Sequence, residues 1–246
     1  MASVKPGKQT RRTSPKQGEL VRQDLGDDGK GTQIPLLIRE AARNSPRKPS
    51  LEVLRQASRK CRACDLWKHA TQTVFGNRSA IAKVMMVGEQ PGDREDLAGE
   101  PYVGPAGKLL QEAMLQAGID RRDVYLSNVV KHFRWEASGR GKRRIHKKPR
   151  QSEIDACHPW FEAEMEAISP QVLVCLGATA AKALLGNKFS VTRDRGKVVP
   201  SPLPCVVLAT VHPSSILRSP NSESRHAEME GFVRDLRIVA QLLAPN

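Results

Sequence analysis

The chain has 246 residues, 39% hydrophobic and 4% aromatic, with 40 Lys and Arg against 26 Asp and Glu for a net charge of +14. That length suits one domain of about 200 residues plus a tail; no run of about 18 apolar residues is present to cross a membrane, and the first twenty residues lack the apolar core of a signal peptide. Five unevenly spaced cysteines do not make the framework of a secreted disulfide scaffold, so an intracellular basic protein is expected.

Residues 1–34, rich in Lys, Arg, Gly, Pro and Gln, are expected to be a disordered basic tail. Its charge fits a solvated tail or a polyanion contact, and Asp24, Asp27 and Asp28 argue against a targeting peptide. Residues 35–57 read as a helical extension broken at Ser45-Pro46. KVMMVGE (83–89) is a buried-type strand, and residues 104–119 carry helical spacing through Leu109, Leu110, Met114 and Leu115. VYLSNVV (124–130) is a second strand. It runs into residues 131–150, which hold nine basic residues and one acid. A loop that long and charged inside a folded domain points to nucleic acid, where clustered Lys and Arg gain by releasing counterions. A helix over 152–168, a strand at QVLVCLG (171–177), a short helix over 178–186, a strand at CVVLAT (205–210) and a closing helix from about Ser224 to Leu243 follow. Four such strands alternating with helices predict an α/β fold with a central four-stranded parallel sheet flanked by helices. Sites in such folds gather beyond the carboxyl ends of the strands. GEQPGDRED, SNVVKH and TVHPSSILR fall there.

Cys61-Arg-Ala-Cys64 precedes the first strand, and Cys157 lies on the 152–168 helix. Three soft ligands plus a fourth could hold a [4Fe–4S] cluster or zinc. Cys175 and Cys205 sit among apolar strand residues and read as core packing.

Together, CRAC, VFGN (74–77), VGEQPGDREDLAGEPYVGPAG (87–107), SNVVKH (127–132) and HPSSILR (212–218) resemble the uracil-DNA glycosylase superfamily, closest to its iron–sulfur family 4. KRRIH (142–146), GEQPGD and LGATAAKALLGN look like the X-type (UdgX) branch, which cross-links covalently to DNA. The resemblance implies a glycosylase-like domain over 58–246. It also implies a structural cluster on Cys61, Cys64, Cys157 and His132, the last standing where family 4 has a cysteine. His158, the competing ligand, points elsewhere on its helix. Asn128 is implied to read the uracil edge, Tyr102 to stack on the base, and His212 to donate to uracil O2. Ser214, Ser215 and Arg218 would grip phosphate, and Ile216-Leu217 would wedge the strand. The loop beginning at Gly88 would present backbone amides to the substrate. Glu89 and Asp93 would orient or deprotonate water with Gln90 assisting; helix capping by Asp93 also fits, and Glu95 and Asp96 read as solvated. His146 would attack C1′ of the sugar, kept neutral by neighbouring cations, with Glu89 taking its proton and Arg144 holding the loop over the site. The implied partner is uracil-containing DNA, single-stranded as well as duplex, met by a monomer in the cytoplasm and at the nucleoid. A glycosylase turning over with water, and a non-catalytic cluster-bearing DNA-binding module, stay open.

Overall fold

Four five-residue apolar runs form the centre of the molecule, and each is buried along almost its whole length. The computed structural model describes residues 33–43, 49–77, 79, 81–139 and 143–244. In chain order its elements are α1 (Gln33–Arg43), α2 (Leu51–Ser58), β1 (Val84–Gly88), α3 (Asp93–Ala98), α4 (Pro105–Ala117), β2 (Val124–Asn128), β3 (Trp135–Ala137), β4 (Arg144–His146), α5 (Gln151–Ile168), β5 (Val172–Leu176), α6 (Ala178–Leu185), α7 (Val191–Asp194), β6 (Val198–Val199), β7 (Val206–Thr210), α8 (Pro213–Leu217) and α9 (Ser222–Leu243).

The sheet runs β2-β1-β5-β7-β6. Its first four members are the strands expected from the sequence, and they pair in parallel, Val84 opposite both Val124 and Val172 and Val172 opposite Val206. The expectation of four strands is corrected to five. β6, two residues long, joins the edge antiparallel to β7 through Val198–Leu208 and Val199–Val207. A two-residue segment carries no readable periodicity, so the sequence gives no sign of it.

Strands buried on both faces need cover on both. On one face Phe75, Tyr125, Trp160 and Phe161 pack with Met85, Leu173 and Val207. On the other, Leu110 and Met114 of α4 and Phe232 and Leu236 of α9 pack on Met86, Val174 and Leu208. α4 begins at Pro105 and stops at Gly118, whose φ of +77° ends the helix in a left-handed cap. The proposed tail boundary at residue 34 falls inside α1, where Ile34 is buried in the core; residues 1–32 lie outside the described residues. Among the described residues no helix is long and apolar enough to cross a membrane.

The basic stretch is the second departure. Its described part folds back as a separate antiparallel hairpin, with Trp135 opposite His146 and Ala137 opposite Arg144. Residues 140–142 at its tip, including Lys142 of KRRIH, lie outside the described residues.

Candidate active site

The carboxyl ends of β1, β2, β5 and β7 open into a cavity of about 810 Å³ whose walls include Glu89, Tyr102, Asn128, His146, Thr179, His212 and Arg218. Its floor is Gly88. A Cβ there would press on the Tyr102 hydroxyl and stand 2.7 Å from Asn128 Oδ1 and 3.3 Å from His212 Nε2. Three polar side chains therefore converge on one bare Cα, which explains why only glycine fits.

Asn128 is fixed from behind. Lys131 Nζ donates to the Asn128 carbonyl (2.7 Å), to Ser127 Oγ (2.7 Å) and to Glu164 Oε2 (2.6 Å). Both partners of that ion pair are fully enclosed, and Glu164 Oε1 further accepts from Tyr125 and the Gly76 N–H. Losing either partner would strand the other as a buried charge, so the pair ties the end of β2 to α5. Val129 and Val130 donate to the carbonyls of Gly88 and Glu89, which extends the strand pairing into the site.

His212 caps α8. Its Nδ1 accepts from the Ser214 N–H at 3.1 Å and lies 2.8 Å from Ser214 Oγ, while Ser215 Oγ donates to its carbonyl. In the neutral ring this assigns the proton to Nε2, the nitrogen facing Gly88. Burial, aided by Arg218 and His146, lowers its pKa to about 4. The site thus holds a neutral N–H donor beside a side-chain amide. Tyr102 lies 6.2 Å from His212, ring to ring and 30° from parallel. Its backbone is left-handed (φ 61°), and its enclosed hydroxyl has no hydrogen-bond partner. Ser214 and Ser215, expected to grip phosphate, spend these bonds on His212. The wedge reading of Ile216 is corrected, because that side chain is wholly in the core while Leu217 is partly exposed. Arg218 is exposed at the cavity rim.

His146 enters from the hairpin. Its half-exposed imidazole puts Nε2 3.5 Å from Glu89 Oε1, and Glu89 Oε2 accepts from the Thr179 hydroxyl at 2.5 Å. The His146 pKa is lowered, first by burial and then by Arg218, with Glu89 opposing. The expected cause, the cations of its own loop, is not the leading one.

Three of the residues read at this site, Gln90, Asp93 and Arg144, hold that hairpin. Gln90 Oε1 accepts from the Arg134 N–H (3.1 Å), and its Nε2 donates to the Arg134 and Lys147 carbonyls. Arg144 lies against the Phe133 and Trp135 rings. Its Nε donates to Asp93 Oδ1 (2.6 Å) and its Nη1 to Asp96 Oδ2 (2.5 Å) and Thr71 Oγ1 (3.1 Å). Asp93 is not the helix cap, since Gly92 occupies that position. The solvated readings of Asp96 and Glu95 are corrected. Asp96 is fully buried and also accepts from the Thr71 N–H, and Glu95 Oε1 accepts from the Gly104 N–H (2.7 Å). Thr179 went unread because a threonine in the first turn of ATAAKALL carries no signal apart from its place at the end of β5.

Three of the cysteines gather in one apolar cluster beside Lys131, just past the end of β2. Cys61 and Cys157 are buried and Cys64 is packed against the same apolar cluster. Cys157 Sγ accepts from the Lys131 N–H at 3.3 Å, and burial pushes the Cys64 thiol up to about 11 and that of Cys157 higher still. His132 is buried too, but its Nε2 meets Thr73 Oγ1 at 3.0 Å. Three soft donors on one apolar patch suit a thiophilic metal. The geometry is not a closed cage: among the described residues no group of three or more His, Cys, Asp or Glu is arranged to hold a metal ion. Cys175 is buried in the core of β5, as expected, and Cys205 is partly buried just before β7.

Comparison with known proteins gives these positions a setting. The family model of the uracil DNA glycosylase superfamily matches residues 75–237. The chain is similar to the type-4 uracil-DNA glycosylase of Thermotoga maritima, 36% identical over 185 residues that cover 75% of this chain and 92% of the relative. It is similar as well to the type-4 uracil-DNA glycosylase of Archaeoglobus fulgidus, 38% identical over 65% of this chain and 79% of the relative. A DNA polymerase of Bacillus phage SP01 is 29% identical over 68% of this chain but only 16% of its own length.

Proposed function

The chain belongs to the uracil-DNA glycosylase superfamily, and on that premise we propose that it excises uracil from DNA and then bonds its own His146 to the sugar left behind. Asn128 pairs with the edge of a uracil turned out of the stack and Tyr102 lies against the ring, both side chains seated over the bare Cα of Gly88. As the N-glycosidic bond breaks, its electron pair leaves with uracil, and the His212 Nε2–H stabilises the charge at O2 without titrating. The vacated C1′ is an oxocarbenium carbon. A lone pair of the neutral His146 imidazole closes on it, and the ring proton passes to Glu89. The observation that carries this reading is the His146–Glu89–Thr179 line at the cavity wall: an imidazole kept below its ordinary pKa, with a carboxylate 3.5 Å away that is itself steadied by a hydroxyl. Proximity supplies the rest.

In this reading Cys61, Cys64 and Cys157, with His132 as fourth ligand, hold a [4Fe–4S] cluster, or zinc in its place. It clamps the segment after α2 to α5 and does no chemistry in the reaction. An absorbance band near 400 nm separates the iron–sulfur form from colourless zinc.

The test is denaturing electrophoresis after incubation with a uracil-containing oligonucleotide. Wild type should give one turnover and a protein–DNA band that survives boiling in detergent. His146→Ala should lose the band and release free abasic DNA, because water enters the vacated space. Since His146 is neutral above its lowered pKa, trapping should hold constant from pH 8 to 6.5 and fall only below that. Many turnovers by wild type with no stable band would leave the water-using glycosylase in its place.

A further inference from the structure

A second cavity, of about 560 Å³, shares no lining residue with the first. It lies between the end of α2, the segment 62–75 and the end of α3. Arg55, Arg59 and Arg62 all line it, with Trp67, Thr71 and one carboxylate, Glu100. No cysteine is on its wall, although His132, the fourth ligand proposed for the cluster, is. The three arginines differ in a telling way. Arg59 and Arg62 are exposed, and the Arg62 guanidinium stands over the Trp67 ring, 4.3 Å from its centroid, with one Nη tied to the Cys61 carbonyl. Arg55 is 6% exposed, yet its Nε has no hydrogen-bond partner. The nearest carboxylate, Glu52, stands 3.5 Å away with half its side chain in solvent.

A guanidinium carries five donors and keeps its charge at any physiological pH. Burying one whose Nε makes no hydrogen bond, and whose ion pair is a long contact to a half-exposed carboxylate, is unfavourable unless something else brings further oxygens. Two more forks face the same space. A carboxylate has two oxygens, enough for one fork, whereas a phosphate has enough to serve several. We propose that this second cavity binds a phosphate group, supplied by a DNA strand or by a free phosphate-bearing anion. The site is separate from the excision chemistry, although it touches the support of the hairpin, because Thr71 on its wall also receives Arg144.

The experiment uses the full chain as purified. Its melting temperature is measured in inorganic phosphate and in chloride at equal ionic strength, and its affinity for a uracil-free single-stranded oligonucleotide is measured by fluorescence anisotropy. Wild type, Arg55→Met and the double variant Arg59→Ser/Arg62→Ser are compared. A control of equal net charge, Arg193→Ser/Arg237→Ser, removes two exposed arginines elsewhere. Saturable stabilisation by phosphate over chloride, lost in both the Arg55 variant and the Arg59/Arg62 variant but kept in the control, supports the site. If the Arg59/Arg62 variant also binds the oligonucleotide at least fivefold more weakly than the control, with a shallower dependence on salt, the phosphate comes from DNA. If its DNA affinity equals the control's, the ligand is a free phosphate. The proposal is overturned if phosphate stabilises the variants as much as wild type. It is equally overturned if phosphate acts no better than chloride while variant and control bind DNA alike.

Discussion

The floor of the active-site cavity and the hairpin beside it reach the same small space by opposite means. Gly88 and Asn128 end parallel strands buried on both faces, and a buried Lys131–Glu164 pair ties Asn128 to α5. The hairpin has three residues per strand, and its His146 is half exposed. An isolated two-stranded ribbon is barely stable in water. This one is held by the Gln90 amide, by Arg144 bridging to Asp93, Asp96 and Thr71, and by Trp135 Nε1 donating to the His69 carbonyl. The floor is therefore part of the core, whereas the hairpin is a separate piece docked on it by a few polar contacts. Recognition and bond breaking, on this view, belong to the rigid region, and capture of the sugar belongs to the docked one. Substitutions should separate the two activities.

The largest effect should come from the floor. Asn128→Ala leaves the edge of the bound base unpaired, a loss of about 3–4 kcal/mol or 10²–10³ in rate. Single-turnover excision measures it, and band formation should fall in step because capture needs a vacated C1′. A fall of less than about threefold would place base recognition elsewhere.

A smaller and more selective effect should come from the hairpin. Arg144→Ala removes the bridges to Asp93, Asp96 and Thr71 and leaves Asp96 buried with only the Thr71 N–H. The hairpin should then sample other positions, and trapping should slow by about tenfold, equivalent to about 1.4 kcal/mol, while excision changes by less than threefold. Arg144→Lys should rescue only in part, since one ammonium cannot reproduce a fork that meets two carboxylates. Equal losses in both activities would mean that the hairpin helps build the floor, and the division would fail.

The same contrast explains what was legible in the sequence. Four short, largely apolar runs announce the parallel strands, and the polar residues after them announce the cavity, because burial and strand period leave direct marks on composition. Asn128, His212 and Glu89 were found by that route and by resemblance. The supports were not. Gln90, Asp93 and Asp96 stand in one motif, GEQPGDRED, and nothing in their order tells which faces the cavity and which turns back to hold Arg144. Asp96 reads as solvated because an aspartate is rarely fully buried unless paired, and its partner lies 48 residues away in a basic loop whose cations read as contacts for nucleic acid. β6 was too short to show a period.

The smallest effect has the opposite sign and tests how tightly the floor is packed. The Tyr102 hydroxyl is enclosed, points at the Gly88 Cα and has no acceptor or donor in contact. Burial pushes its phenol well above the ordinary range, with Glu95 adding to the shift, so the group stays neutral and its unmade hydrogen bond is a plain cost of folding. That cost is about 1–3 kcal/mol for a buried polar group without a partner. Tyr102→Phe keeps the ring that lies against His212 and removes only the oxygen. A small cavity offsets part of the gain, leaving about 1 kcal/mol of net stabilisation and a melting temperature higher by about 2–4 °C. Excision should remain within about twofold, since stacking depends on the ring. The left-handed backbone at position 102 is the same for either aromatic residue and drops out of the comparison. A variant that melts lower than wild type would mean that the hydroxyl has a partner in solution, and the cost assigned to it here would be wrong.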